Sequence, residues 1–341
     1  MRALLIARGG GIGDTFLASI VARALRSRYD AVDVLTLPAH RTILRGNPDV
    51  AAVIEREAES PAALRARKYA AAVCTWATLP NALLPLSAGI ATRVGQARRL
   101  YSGLFTRRVV VRSELGDRTT HWTEILLDYA RALGCDTADT QPRVALDESD
   151  RSEARRILSA ARVDGPFAIL HPTRGISRRE RWPSEPFARL VNALVERFGL
   201  PLVVTGGRED HAYVERVFAL ARLQLPAFER RRKAPAINVS GVASLRAFTA
   251  LAEQARFVVA MDSGPMHLAA STGTPTLGIF ALQSDEPDRW RPLGANVAIV
   301  RATYPCPPAH RKETCPDFAC VRALDLRTIL DAAGSLVRQP T

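Results

Sequence analysis

Short apolar runs alternate with helical repeats along this 341-residue chain, and the alternation starts twice. Residues 3–7 form an apolar run. It breaks at Gly9-Gly10-Gly11-Ile12-Gly13-Asp14 and passes into a helical pattern through Leu17, Ile20, Val21 and Leu25. Residues 32–37, 51–54, 70–74 and 109–111 read as further strands, with a helix over 122–133. The pattern then restarts with a charged amphipathic helix over 149–162, a strand at 167–171, a helix at 187–198 and a strand at 202–205 closing on Gly206-Gly207. A helix at 210–223, a strand at 237–239, a helix at 245–255 and a strand at 257–260 follow. A helix over 266–272, strands at 276–280 and 297–300 and a helix over 326–337 complete the chain. Strands that alternate with helices imply a parallel sheet covered on both faces. Two successive sets predict an α/β protein of two Rossmann-like domains, 1–162 and 163–341. Such domains bind ligands at the C-terminal ends of their strands.

Composition narrows the class of ligand. The apolar share of 47% and charged share of 24% are those of a globular protein. The net charge is +13, carried almost wholly by arginine, with lysine only at Lys68, Lys233 and Lys312. A basic surface attracts nucleic acid, acidic lipid or phosphorylated substrates. No nucleic-acid motif is recognisable, so no nucleic-acid partner is expected. The five cysteines are an odd set, and the apolar run at the N-terminus is too short for a signal segment, so a cytoplasmic location is expected. Residues 70–92 lack charge but hold Pro80, Asn81 and Pro85. Two buried elements joined by a turn fit them better than a membrane span.

The chemistry concentrates at Ala260-Met261-Asp262-Ser263-Gly264-Pro265-Met266-His267, between a strand and a helix. Ser263 and Gly264 place backbone N–H groups at a helix N-terminus, where the dipole favours phosphate. Asp262 stands where a carboxylate grips sugar hydroxyls, and His267, one turn in, adds a donor. The competing reading is a helix cap beside a core histidine. A second region runs from His171-Pro172-Thr173 to Arg181-Trp182. Thr173 is placed to donate to a phosphate, and Arg181 and its neighbouring arginines to neutralise a leaving diphosphate; the alternative is an exposed basic loop. Gly206-Gly207 lets backbone approach a nucleotide or simply turns the chain. Asp14 is either a helix cap or a general base. His40, Arg41, Arg93, Arg98, Arg99 and His121 are candidates to meet an anionic acceptor.

Two other readings are weaker. A dinucleotide fingerprint starting at Gly9 needs glycine where Asp14 stands. It also needs an acidic residue ending the second strand, which instead closes Thr36-Leu37-Pro38. Cys306, His310, Cys315 and Cys320 lack the close Cys pair of a metal knuckle, so free thiols or a labile disulfide are expected there.

The string from Asp262 through His267, Gly273 and Pro275 to Phe280 resembles the signature of the ADP-heptose:lipopolysaccharide heptosyltransferases, glycosyltransferase family 9. Gly11-Ile12-Gly13-Asp14, Asn47-Pro48-Asp49-Val50, His171-Pro172-Thr173 with Arg181-Trp182-Pro183, Gly206-Gly207 and the cysteines at 306, 315 and 320 agree in order. The resemblance implies a GT-B fold, with an N-terminal acceptor domain and a C-terminal donor domain facing a central cleft. It implies inverting transfer of a heptose from ADP-heptose to a lipopolysaccharide core or related glycan, without metal or cofactor. It makes Asp14 the general base. Asp262, Ser263, Gly264, His267, Thr173, Arg181 and Gly206 become donor contacts, and Gly13, Arg93 and His121 acceptor contacts. The expected partners are a nucleotide-diphosphate sugar, an anionic glycan or glycolipid, and the inner face of the cytoplasmic membrane. One departure stands out: relatives carry lysine where this chain has Glu180, two before Trp182. That leaves room for a protein, capsule or secondary-metabolite acceptor, or for a nucleotide-sugar-binding protein without catalysis.

Overall fold

A computed structural model describes residues 1–173, 182–223, 236–282, 284–307, 315 and 317–338, the side chains of Arg56 and Leu223 excepted. The chain divides into two compact units, Met1–Ala145 and Leu146–Thr341.

The first unit is built on β1 (Arg2–Ala7), β2 (Ala31–Thr36), β3 (Ala52–Val53), β4 (Tyr69–Cys74), β5 (Thr92–Gln96) and β6 (Arg107–Val109), all parallel in the order β3-β2-β1-β4-β5-β6. The second unit repeats that order with β7 (Ala168–His171), β8 (Leu202–Val204), β9 (Ala236–Asn238), β10 (Phe257–Met261), β11 (Thr276–Phe280) and β12 (Val297–Arg301), laid out β12-β11-β10-β7-β8-β9. Each is a Rossmann-like sheet, so the chain is an α/β protein of two Rossmann-like units. The first strand of each unit is central, and the direction of winding reverses beside it, between β1 and β4 and between β7 and β10. Connections leave a crevice at such a reversal, outside the carboxyl ends of the strands.

Central strands covered by helices on both faces read as unbroken apolar runs. Leu4, Leu5 and Ile6 of β1 and Val258, Val259 and Ala260 of β10 are fully buried. Each large aliphatic side chain so buried contributes about 1.5–3 kcal/mol. The core of the second unit also takes in Trp182, Phe187 and Phe257, and Cys315, Phe318 and Cys320 from the tail. Cys315 and Cys320 are therefore packing residues.

The structure differs from the sequence expectation in four places. β5 lacks an apolar run: its sequence is Thr-Arg-Val-Gly-Gln, and the Phe105 ring fills the space over Gly95, where a Cβ would stand 2.3 Å from it. The valine run 109–111 is mostly not strand. β6 is the edge strand Arg107–Val109, and Val110 is exposed. The boundary falls at 145/146 rather than 162, because the helix Glu148–Ala160 is bound to the helix Leu245–Gln254 of the second unit. Buried Arg246 Nε donates to Asp150 Oδ1 at 2.9 Å, and Arg151 and Glu253 are paired at 2.9 Å. Finally, residues 70–92 hold β4 and the helix Leu79–Ser87 joined by a short turn, but that helix leaves three leucines exposed. Among the described residues no helix is long and apolar enough to cross a membrane.

Candidate active site

In the first unit, β1 ends at Ala7 and the chain turns through Gly9 and Gly10 into the helix Ile12–Leu25. Gly10 has φ +68°, and a Cβ there would meet Asp14 Oδ2 at 2.4 Å. A Cβ on Gly9 would overlap the Trp76 indole at 2.0 Å. Only glycine lets this turn pass between the carboxylate and the ring. Asp14 sits in the helix's first turn, where its Oδ2 accepts the Gly11 N–H at 2.8 Å. That bond caps the helix and fixes the carboxylate's direction. Asp14 then lines a small recess with Ala7, Gly9, Thr75, Trp76, Trp122 and Leu126. Thr75 and Trp76 follow β4, so the recess lies at the reversal point of the first sheet. Gly13, half-buried, is in the same helical turn.

The other acceptor candidates are arranged differently. His121 is buried and caps the helix Trp122–Arg131. Its Nδ1 meets the Thr123 hydroxyl at 2.7 Å and accepts the Thr123 N–H at 3.2 Å. It borders the recess through the next residue, Trp122. Arg93 is not brought to this end of the sheet. It lies near the start of β5, donating to the carbonyls of Ile90, Ala91 and Leu104 at 2.7, 3.1 and 2.8 Å. His40 is buried against the Thr15 hydroxyl at 2.9 Å, and burial lowers its pKa. Arg41 is held by Glu55 at 2.9 Å and by Glu59.

In the second unit, three segments meet along the C-terminal edge of adjacent strands: Pro172-Thr173 after β7, Thr205-Gly206-Gly207 after β8 and Asp262-Ser263-Gly264 after β10. The Asp262 N–H continues the ladder to Ile279 O at 2.9 Å. The Ser263 hydroxyl turns back to Met261 O at 2.9 Å and makes no cap bond to the helix Gly264–Ala270. Pro265 carries no N–H, so Ser263 and Gly264 supply the backbone donors where this helix opens. His267 is buried within the same helix.

Thr173 departs from expectation. Its hydroxyl donates to Asp210 Oδ2 at 3.0 Å, and the same oxygen accepts the Gly207 N–H at 2.9 Å. A hydroxyl has one proton, so Thr173 held this way presents lone pairs to a ligand and cannot also donate to a phosphate. Gly206 serves the turn itself: a Cβ there would lie 3.0 Å from Asp210 Cβ and 3.1 Å from Ser240 Oγ. Beneath them, His171 Nδ1 is 2.9 Å from the Thr205 hydroxyl, and burial pushes its pKa down to about 4. Arg181 and Glu180 lie outside the described residues, as does His310. Cys306, Cys315 and Cys320 are free thiols, and no three described residues gather as metal ligands.

Sequence reasoning missed Trp76, Trp122 and Asp210. The signal for Trp76 was its place directly after a central strand. Asp210 caps its own turn through the Gly207 N–H three residues earlier, and nothing local announces its second partner, Thr173, 37 residues away.

The sequence pattern of glycosyltransferase family 9 (heptosyltransferase) matches residues 61–317. The chain belongs to this family. Lipopolysaccharide heptosyltransferase 2 of Escherichia coli strain K12 is 23% identical over 316 residues, covering 87% of each chain. Among solved structures, the E. coli ADP-heptose lps heptosyltransferase II superposes with a TM-score of 0.77 at 21% identity, covering 99% of this chain and 98% of that one. A glycosyl transferase family 9 protein from Veillonella parvula does so with a TM-score of 0.80 at 18% identity, over 98% and 97%. The protein is a family 9 glycosyltransferase.

Proposed function

We propose that this family 9 glycosyltransferase moves a heptose from ADP-heptose to a lipopolysaccharide core or related anionic bacterial glycan, with inversion at the anomeric carbon. The observation that carries this reading is the Asp14 carboxylate, aimed by the Gly11 N–H within a recess walled by Trp76 and Trp122. A sugar ring packs its apolar face against indole, and its hydroxyl then meets the carboxylate. Asp14 takes the acceptor hydroxyl's proton as that oxygen bonds to the anomeric carbon. The bond from that carbon to the diphosphate oxygen breaks, and ADP leaves with the electron pair. Backbone N–H groups of Ser263 and Gly264 receive the diphosphate charge. Asp262 holds the hydroxyls of the donor sugar, His267 adds a hydrogen bond to the diphosphate, and Thr173 accepts a hydrogen bond from the sugar nucleotide. Arg181 assists charge neutralisation, and Gly206 shapes the nucleotide's turn. Gly13 and His121 frame the acceptor. The enzyme works in the cytoplasm, against the inner face of the cytoplasmic membrane.

A screen of nucleotide sugars with a lipopolysaccharide-core acceptor tests this. Product with an inverted linkage from ADP-heptose is expected. Preference for another donor would point to Glu180, which stands where the family carries lysine. Donor binding without transfer to any glycan would leave a binding protein and end the catalytic reading.

A further inference from the structure

From Pro61 to Ser113 the chain carries nine arginine and lysine residues and no aspartate or glutamate. This acid-free stretch builds β4, β5 and β6, one side of the first sheet. Within it lies the helix Leu79–Ser87, which buries Asn81, Ala82 and Pro85. Its outer side holds Leu79, Leu83 and Leu86, exposed by 47%, 40% and 39%. Those three recur at i, i+4 and i+7, a single face of a helix. The wet face of a surface helix ordinarily carries charge; here it carries leucine. The helix packs beside the turn Ser102–Leu104, and the loop leading into that turn presents Leu100 at 107% exposure. One exposed leucine is ordinary, whereas an aligned stripe with a fourth on the adjoining loop marks a contact surface. Arg98 on that loop and Arg107 and Arg108 on the edge strand are exposed as well.

We infer that this face docks the enzyme on an anionic lipid surface. Leucines enter the boundary between headgroups and acyl chains, and guanidinium groups meet lipid phosphates. A second copy of the chain fits less well, because a symmetric contact would set the same positive stretch against itself. The inference deepens the proposed function, since it rests on a lipid-linked acceptor, and it gives that acceptor a place. Asn81 in the docking helix donates to Arg8 O at 2.8 Å and Trp76 O at 3.1 Å, and its Oδ1 accepts from Arg8 Nε at 2.9 Å. Arg8 follows β1 and Trp76 walls the Asp14 recess. A glycolipid held by this helix therefore presents its sugars beside Asp14.

The test is sedimentation of the full chain with vesicles of phosphatidylcholine alone or mixed equally with phosphatidylglycerol. The wild type is expected to sediment with the mixed vesicles, less so as salt rises, and to stay in solution with neutral ones. Leu79→Ser/Leu83→Ser/Leu86→Ser is expected to lower the partition coefficient at least about tenfold, with circular dichroism and melting unchanged because these side chains are exposed. Arg107→Glu/Arg108→Glu should lower it by a smaller factor. The leucine variant should keep turnover on a water-soluble acceptor and lose it on one embedded in vesicles. Equal sedimentation of wild type and leucine variant overturns the inference. So does wild-type self-association, lost in the variant, without vesicle binding. If no glycan is glycosylated by the wild type, the proposed function falls, and vesicle binding alone still decides whether this face meets lipid.

Discussion

Asp14 serves two masters, and they can be separated. Its Oδ2 caps the helix through Gly11 N–H, and an amide oxygen can accept the same bond. Asp14→Asn should therefore keep the fold and the ADP affinity within about threefold while turnover falls about 10²–10⁴-fold, the usual share of a general base. Initial rates beside calorimetric ADP titration check this, and turnover near wild type would remove Asp14 from catalysis. His171 makes a different prediction. Burial holds its folded pKa near 4, against about 6.5 for an unfolded histidine. Between those values the folded state binds fewer protons, so stability is complete above pH 6.5 and lost as pH falls toward 4. The slope is about 1.4 kcal/mol per pH unit. Burial lowers His40 as well, in the same direction. Urea midpoints of wild type and His171→Asn at pH 7 and pH 5 should show a shallower loss in the variant. An identical loss would mean that His171 titrates normally.

Among the elements, the helix Glu148–Ala160 is the one whose allegiance the sequence left ambiguous. Arg246 and Asp150 are each 4% exposed at the side chain, a buried pair that ties this helix to the helix Leu245–Gln254. Removing one partner strands the other charge, so Arg246→Ala should destabilise by about 3–5 kcal/mol. Replacing both by apolar residues of similar size should cost much less. Denaturant unfolding of the single and double variants tests the pair, and a single-variant loss below about 1 kcal/mol would class it with surface ion pairs. A similar economy of contacts governs the strand ends of the second unit. One oxygen of Asp210 gathers the Thr173 hydroxyl and the Gly207 N–H, which ties the segments after β7 and β8 to each other.

At the scale of the molecule, two sheets of the same strand order carry two chemically different edges. The first edge offers a carboxylate and two indoles; the second offers backbone N–H groups and buried histidines. Nucleotide should therefore protect one unit and not the other. ADP at a hundred times its dissociation constant should stabilise the protein by about 2.7 kcal/mol. Slowed amide exchange should be confined to residues 171–173, 205–207 and 262–267. Protection centred on residues 9–14 instead would reverse the assignment of donor and acceptor.

The α/β class, most strands and the strand-end positions of Asp14, Thr173 and Asp262 were legible in the sequence. Those features rest on periodicity, glycine turns and helix starts, all of which are local. The sequence could not show β5, because a strand with Gly95 under the Phe105 ring has no apolar run to announce it. Nor could it separate Arg93, bonded to three carbonyls at the start of its strand, from an arginine that reaches a ligand. It read Thr173 as a donor because it could not see the carboxylate that takes the proton. It read residues 70–92 as buried because hydropathy records what a side chain prefers, and only the packing of the helix Leu79–Ser87 decided which leucines were left outside. Local spacing determined which elements form and where they turn. Contacts between residues far apart in the chain decided where each polar hydrogen goes and which surfaces meet solvent.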